Sequence, residues 1–149
     1  MRIGIIGFGY VGQAIGWAHR SDDLIIRDPK LEDSADLSKF TDCDAIFVCV
    51  PTPPIGDINE NGTCDTSILE QTLKELLFVL INKQIPIICK STAPPSVYER
   101  LQKEYPNLVH APEFLTQENA TTDYANADSC ILGGDYDWCV NCLLYTSPS

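Results

Sequence analysis

Residues Arg2–Gly12 read RIGIIGFGYVG, an apolar run that ends in a Gly-x-Gly-x-x-Gly pattern. The run predicts a short buried strand, and the apolar spacing of Val11–Arg20 predicts a helix directly after it. At such a junction Gly7 permits a tight turn, Gly9 lets a pyrophosphate approach the backbone, and Gly12 lets the helix pack closely on the sheet. The stretch therefore predicts the phosphate-binding turn of a dinucleotide-binding βαβ unit.

An acidic residue follows the second predicted strand of this unit. Leu24–Arg27 (LIIR) is that strand, and Asp28 stands at its end. A carboxylate there accepts hydrogen bonds from the adenosine ribose hydroxyls and repels a 2′-phosphate, while the N–H groups at the start of the helix would hold the phosphates. We therefore predict NAD as the cofactor, in preference to NADP. The alternative is a glycine-rich turn followed by an aspartate that stands there by chance.

Further apolar runs are spaced along the chain with amphipathic segments between them. Four of these runs are predicted as strands: AIFVCV (45–50), IPIICK (85–90), LVHAP (108–112) and CILGG (130–134). Near-continuous apolar strands separated by helices indicate a parallel sheet that is covered on both faces. The predicted fold class is α/β, a doubly wound, Rossmann-like parallel sheet in a single domain.

Two of the predicted helices have recognisable starts. Ser67 and Glu70 have the spacing of a capping box at the head of a long amphipathic helix. The proline pair at 94–95 opens a second helix, which is expected to stop before the next proline along the chain. Residues 31–40 (LEDSADLSKF) carry only a weak signal, and a short or frayed helix is expected there.

The chain is strongly acidic, with a formal net charge of −11 and a pI near 4.3. It offers no basic stripe to nucleic acid or anionic membranes, so neither is a predicted partner. Its 149 residues, 44% of them hydrophobic, are enough to bury one core of ordinary size. The apolar stretch Ile3–Ala18 is interrupted by glycines and lacks a clean signal-peptide cleavage site, so we predict a cytoplasmic protein.

Seven cysteines raise the question of a disulfide or metal framework. Cys49 and Cys89 lie in apolar runs, which is typical of buried thiols in a reducing compartment. Cys139 and Cys142 have the spacing of zinc ligands, but no second pair and no nearby histidine completes a site, so no metal is predicted. The loop Asp57–Gly62 (DINENG) matches the start of a calcium loop, yet it lacks the glutamate and the preceding helix of such a site.

Three motifs close predicted strands, where the carboxyl ends of parallel strands line a ligand crevice. They are VCVPTPP, CKSTAPPS and HAPEFLTQENA, in this order. Together with GFGYVG they make a chain that resembles the UDP-glucose/GDP-mannose dehydrogenase family, in its NAD-binding N-terminal domain, over Met1 to about Gly134. The resemblance implies a nucleotide-sugar substrate, whose C6 alcohol is oxidised to a carboxylate in two NAD-dependent steps through a thioester on a cysteine.

The resemblance also implies roles for individual residues, each with a structural alternative. Glu113 would act as a general base or position water, which suits thioester hydrolysis, and Thr92 would help order that water. Alternatively, Ser91 and Thr92 only cap the next helix, and Glu113 is a solvated loop residue. The cofactor pocket is expected to comprise Gly7, Gly9, Tyr10, Val11, Gly12, Asp28, Thr52, Thr92 and Gln117, and the nucleotide sugar to meet Glu113, Phe114, Leu115 and Thr116.

Several positions depart from the family pattern. The family usually has asparagine where Ala111 stands, glutamate at the position of Gln117 and often arginine at that of Ser129. The segment 28–44 is shorter than usual, so a helix and an edge strand are expected to be missing or reduced. His110, beside a strand end, is either a general base or a packed or solvated side chain.

The family's nucleophilic cysteine, catalytic lysine and asparagine lie beyond this domain, and no residue here matches those motifs. The chain is therefore expected to be inactive alone, and to form a homo-oligomer only with a C-terminal part. Residues 142–149 (CLLYTSPS) look like a translated sequencing-library adapter, so the domain is drawn at 1–141 and the tail is expected to have no partner in the sheet. A natural short protein with a disordered end is the alternative.

Two other functions stay open at this point. One is a non-catalytic NAD-binding module, which would look the same over these residues. The other is another Rossmann dehydrogenase of the β-hydroxyacid or sugar-phosphate type, which would share the first βαβ unit but is not expected to carry both KSTAPP and PEFLTQENA.

Overall fold

The structure, a computed structural model, describes residues 1–56, 63–81 and 83–146; the calcium-like loop Asp57–Gly62 lies outside them. The elements are β1 (Arg2–Ile6), α1 (Tyr10–Ala18), β2 (Asp23–Arg27), a 3-10 helix (Leu37–Asp42), β3 (Ala45–Val48), α2 (Ser67–Val79), β4 (Ile87–Cys89), α3 (Pro95–Glu104), β5 (Leu108–His110), α4 (Ala120–Ala125) and α5 (Tyr136–Thr146). The strands form one parallel sheet in the order β2-β1-β3-β4-β5. The predicted α/β fold with a parallel, Rossmann-like sheet is confirmed.

Helices cover both faces of the sheet, as near-continuous apolar strands require. Alternate side chains of β1 point to opposite faces. Ile3 and Ile5 pack in a core cluster with α1, α4 and α5, whereas Ile6 packs in a second cluster with α2, α3 and Phe40. Phe40 belongs to the 3-10 helix and is fully buried. The segment 31–40, which carries only a weak helix signal, thus ends in a short helix. Its main contribution to the core is the Phe40 side chain.

The start of α2 differs from the predicted capping box. Ser67 is the first helical residue, and Thr66 precedes it as the N-cap without a side-chain bond to the helix backbone. The Thr66 hydroxyl donates to Glu70 Oε1 at 2.8 Å, and the Ser67 N–H group donates to Asp65 Oδ1 at 2.9 Å. The prediction is wrong because Asp65, just before the helix, supplies the acceptor for an N–H group that has no partner within the helix.

The predicted strand at 130–134 does not form. Gly133 makes an isolated antiparallel bridge with His110, through two backbone hydrogen bonds of 2.8 Å. The next residue, Gly134, has a φ of +152°, which L side chains rarely adopt. The backbone leaves the extended course there, so no ladder develops beyond the bridge.

Helix α5 includes residues 142–146 of the tail, which is expected to have no partner in the sheet. Cys142 is fully buried in the core cluster that contains Ile3 and Ile5, and the Tyr145 carbonyl oxygen lies 3.0 Å from His19 Nε2. The expectation is therefore wrong for Cys142, whereas the domain boundary at Asn141 stays a prediction. All seven cysteines are unpaired. Within the described ranges, no helix has the length and apolar character needed to cross a bilayer.

Candidate functional site

A cavity of about 770 Å³ lies at the carboxyl ends of β1, β2, β3 and β4. Ligands bind in this position in open α/β sheets, and the volume is in the range of small-molecule sites. The cavity brings together loops from all four motifs of the sequence. The predicted site residues that line it are Gly7, Gly9, Tyr10, Val11, Asp28, Thr52, Thr92 and Glu113.

The three glycines of the loop differ in the space around them: Gly7 and Gly12 are closely packed, and Gly9 is open. Gly7 has a φ of +89°, and a Cβ added to it would lie 2.5 Å from the Cys49 carbonyl oxygen. A Cβ on Gly12, which is buried within α1, would collide with the Gly7 carbonyl oxygen. A Cβ on Gly9 would meet no atom within 4 Å. The open space beside Gly9, at the start of α1, fits the pyrophosphate of a dinucleotide.

Asp28 connects the end of β2 with the glycine loop. Its Oδ2 accepts a hydrogen bond from the Phe8 N–H group at 2.6 Å, and its Oδ1 accepts one from the Lys30 N–H group at 2.9 Å. The bond from Phe8 is the main cause that holds the pKa of Asp28 below its usual value, because it favours the charged form. A carboxylate with two such bonds still has lone pairs for ribose hydroxyls. Arg27 also lines the cavity, and its Nη1 donates to the Ala35 carbonyl at 3.0 Å.

Hydrogen bonds join the loops that follow β3 and β4. The Thr52 hydroxyl donates to the Thr92 carbonyl at 2.6 Å, and the Ser91 hydroxyl donates to the Val50 carbonyl at 2.7 Å. Helix α3 begins at Pro95 and has no side-chain cap. The alternative in which Ser91 and Thr92 only cap α3 is therefore wrong, because Ser91 ties the two loops together and Thr92 lines the cavity.

Glu113 reaches the cavity from the loop after β5. Burial raises the pKa of its half-buried carboxyl to about 7, although the positive charge of Lys90 acts in the opposite direction. Its Oε2 atom is buried, and it has no hydrogen-bond partner among the residues that the structure describes. A solvated loop carboxylate would have neither property, so the structural alternative for Glu113 is not supported.

Lys90 also lines the cavity, and the sequence patterns did not indicate it. It precedes Ser91 in the CKSTAPPS motif and is only 7% exposed. Lysine is almost never buried to this extent unless it is paired. The feature of the sequence that could have indicated Lys90 is its position as the first polar residue after the apolar run of β4, at the crevice end of the strand.

His110 is packed at the end of β5. Its ring stacks on that of Tyr98, with the centroids 3.8 Å apart and the planes at 15°. Burial lowers its pKa, and the charge of Lys90 adds to this effect. His110 does not line the cavity, so the reading of His110 as a packed side chain is the one that the structure supports.

The predicted residues that follow the Glu113 carboxylate lie outside the lining of this cavity. Phe114 is 78% exposed, whereas Leu115 packs partly buried against the core. Thr116 donates from its N–H group and its hydroxyl to the Asp123 carboxylate, at 2.9 and 2.7 Å. Gln117 is exposed. Phe114, Thr116 and Gln117 are thus exposed, Leu115 is partly buried, and none of the four lines the cavity.

Comparison with known proteins gives a family for this arrangement. The model of the UDP-glucose/GDP-mannose dehydrogenase family, NAD binding domain, matches residues 25–145. This range includes Asp28 and the three motifs that close β3, β4 and β5, whereas the glycine loop precedes it. The chain belongs to the UDP-glucose/GDP-mannose dehydrogenase family. Its cofactor is NAD, as the sequence predicted.

Individual relatives agree with this family. YtcA of Bacillus subtilis (strain 168), provisionally named a UDP-glucose 6-dehydrogenase, is 33% identical over 121 residues, which cover 74% of this chain and 27% of YtcA. The GDP-mannose dehydrogenase of Pseudomonas aeruginosa, solved as a ternary complex, has a TM-score of 0.77 at 23% identity. The UDP-D-ManNAc dehydrogenase of Pyrococcus horikoshii has a TM-score of 0.77 at 20% identity.

The solved structures confirm the fold over almost the whole chain. In both cases 98% of this chain and 44% of the other chain are covered. The chain thus spans less than half the length of each of these relatives.

Proposed function

We propose that this chain is the NAD-binding part of a nucleotide-sugar 6-dehydrogenase similar to UDP-glucose 6-dehydrogenase, which oxidises the C6 alcohol of the sugar to a carboxylate. The observation that carries the proposal is the Glu113 carboxyl, which shares a cavity with the glycine loop and Asp28. Holding a dinucleotide does not by itself require a half-buried carboxyl of raised pKa. Its position supports a role in the chemistry that follows cofactor binding.

The cofactor contacts follow from the geometry of the loop. When bound, NAD accepts the hydride that leaves the C6 carbon. We assign the pyrophosphate to the open space beside Gly9 and the first N–H groups of α1, and the ribose hydroxyls to Asp28. The other predicted contacts are Gly7, Tyr10, Val11, Gly12, Thr52, Thr92 and Gln117.

Glu113 is assigned to the hydrolytic half of the reaction. Hydrolysis of a C6 thioester consumes one water, breaks the C–S bond and releases the thiol and the carboxylate. A carboxylate in hydrogen-bond reach of that water can accept its proton during the attack. A pKa of about 7 suits this role, because a base works best when its pKa is near the working pH. Thr92 would order the same water, and Phe114, Leu115 and Thr116 would contact the nucleotide sugar at the surface.

The thioester nucleophile is not assigned to a cysteine of this chain. Burial raises the pKa of Cys43 to about 11 and that of Cys142 to about 12. Burial also raises the pKa of Cys49, the cysteine in the lining of the cavity. Buried thiols in apolar surroundings are inert because the thiolate is the nucleophile. We assign the nucleophile, and any homo-oligomer contact, to the additional length that the relatives have.

The complete protein tests the proposed function. Joined to the additional length that its relatives have, the chain is expected to form two NADH for each nucleotide sugar, because two hydrides leave C6. The 149-residue chain alone is expected to bind NAD without turnover. The measurement is NADH formation with a panel of UDP- and GDP-sugars. A complete protein that binds NAD but oxidises no member of the panel would contradict the proposal.

Asp28 is expected to make the chain bind NAD more tightly than NADP, because its carboxylate would face the 2′-phosphate. The Asp28→Asn variant should narrow this preference by roughly tenfold, the effect of about 1.4 kcal/mol of lost repulsion. Calorimetric titration of both cofactors measures the change. Asp36→Asn is the matched control, because Asp36 also has a lowered pKa but does not line the cavity. Equal or tighter binding of NADP by the unmodified chain would refute the assignment.

A further inference from the structure

Lys90 lies at the crevice end of the sheet, where it lines the cavity. Its backbone N–H group donates to the Val48 carbonyl at 2.8 Å, which continues the pairing of β3 and β4. Its Nζ lies 5.6 Å from the centre of the Tyr124 ring of α4, and the residue is only 7% exposed. Among the described residues, no carboxylate oxygen lies within 4.0 Å of this ammonium. An ammonium on a mostly buried residue without such a partner is stabilised by negative charge at longer range.

Several side chains from neighbouring segments of the chain interact with the charge of Lys90. They are Cys49 after β3, Cys89 in β4, His110 in β5, Glu113 in the following loop and Tyr124 in α4. Thiols, phenols and a neutral imidazole carry no negative charge near neutral pH. Glu113 is therefore the member of this group that can compensate the charge of Lys90.

The ionised form of Glu113 in turn depends on the charge of Lys90. Glu113 Oε2 is buried without a hydrogen-bond partner in the described part of the chain. Burial favours the neutral form of such a carboxyl, whereas a nearby positive charge favours the ionised form. The two residues reach the same cavity from neighbouring strands of the sheet. The charge of Lys90 thus opposes the protonation that burial would otherwise impose on Glu113.

We propose that Lys90 is a positioning residue that keeps the Glu113 carboxyl ionised, and therefore able to act as a base, in the cofactor cavity. The inference rests on the proposed function for its role in catalysis. The charge coupling itself is a property of the folded chain and needs neither NAD nor a sugar. Lys90 acts through Glu113, so removing its charge should change the pH at which Glu113 gains its proton.

The test is a carboxyl titration of the chain by NMR with ¹³C-labelled glutamate. The Glu113 resonance is identified by its loss in Glu113→Gln. In Lys90→Met, which replaces the ammonium by an apolar group on a stem of similar length, the midpoint should rise by about one pH unit or more. Lys90→Arg keeps the charge and should leave the midpoint within a few tenths of a unit of the original.

Two results would overturn the inference. The first is an unchanged midpoint in Lys90→Met. The second is an equal rise in Lys90→Met and Lys90→Arg, because packing rather than charge would then be the cause. Lys90→Gln gives a second neutral variant that retains hydrogen-bonding capacity, and it decides the matter if Lys90→Met does not fold. In the complete protein, the acid limb of the thioester hydrolysis rate should move to higher pH in Lys90→Met and not in Lys90→Arg.

The charge coupling and the proposed function can be refuted independently of each other. A raised midpoint in a protein that oxidises no sugar would refute the proposed function and leave the charge coupling standing. An unchanged midpoint in a protein that does oxidise sugars would refute only the role of Lys90.

Discussion

Replacing Glu113 by Gln in the complete protein is expected to slow thioester hydrolysis at least 100-fold, the usual contribution of general-base catalysis. An amide cannot accept the proton of the attacking water, whereas the first hydride transfer does not require that proton acceptor. The slow step should therefore follow thioester formation, and a covalent sugar adduct should accumulate on the downstream cysteine. Mass spectrometry of the intact protein detects the adduct, and a burst of NADH reports the step that precedes it.

A neighbouring glutamate provides the control for this variant. Glu118 follows in the same loop, is exposed and does not line the cavity. Glu118→Gln changes the net charge equally and should leave the rate unaltered. If Glu113→Gln kept the steady-state rate within about a factor of two, far from the effect of losing a general base, Glu113 would be a loop residue and the catalytic assignment would be wrong.

The same assignment sets the direction of the pH dependence. Glu113 must be ionised to act as a base, and burial raises its pKa to about 7. The hydrolysis rate is therefore expected to fall as the pH decreases through about 7, where an unperturbed glutamate would still be ionised. Glu113→Gln should remove this acid limb from the pH profile.

Replacing Gly9 by Ala is expected to weaken NAD binding at least tenfold, about 1.4 kcal/mol, without lowering the melting temperature. The added methyl group meets no atom within 4 Å in the free chain, and Gly9 has a φ of −70°, which alanine adopts without strain. The pyrophosphate is expected to approach the backbone at this glycine, so the methyl group would occupy the ligand's space. Calorimetry measures the affinity, and thermal unfolding measures the stability.

Gly12→Ala is the comparison, because its methyl group collides with the Gly7 carbonyl in the free chain. Overpacking of this kind costs about 1–3 kcal/mol, so the melting temperature should fall by several degrees. Gly12→Ala should therefore lose stability as well as affinity, whereas Gly9→Ala loses affinity alone. Unchanged NAD affinity in Gly9→Ala would show that the pyrophosphate does not lie at this loop.

The parts of the fold that were predicted correctly have signals in consecutive residues. Helix α3 begins at Pro95, where the missing N–H group of proline removes no helical bond. The apolar runs of β1, β3, β4 and β5 became strands of one parallel sheet. In two places the sequence pattern predicted the wrong hydrogen-bond partners. Asp65 took the N–H group at the start of α2, and the run at 130–134 made only a bridge to His110.

The glycine loop and Asp28 could be recognised from the chain alone, because a turn between a strand and a helix depends on neighbouring residues and their fixed spacing. The burial and the raised pKa of the Glu113 carboxyl could not be predicted from the chain alone, because they depend on loops that are far apart in sequence. Lys90 was not predicted for the same reason: it is mostly buried and lines the cavity together with Glu113, which follows the neighbouring strand β5. Desolvation and Coulomb interactions vary with distance in space, so only the packed sheet brought these two charges into one cavity.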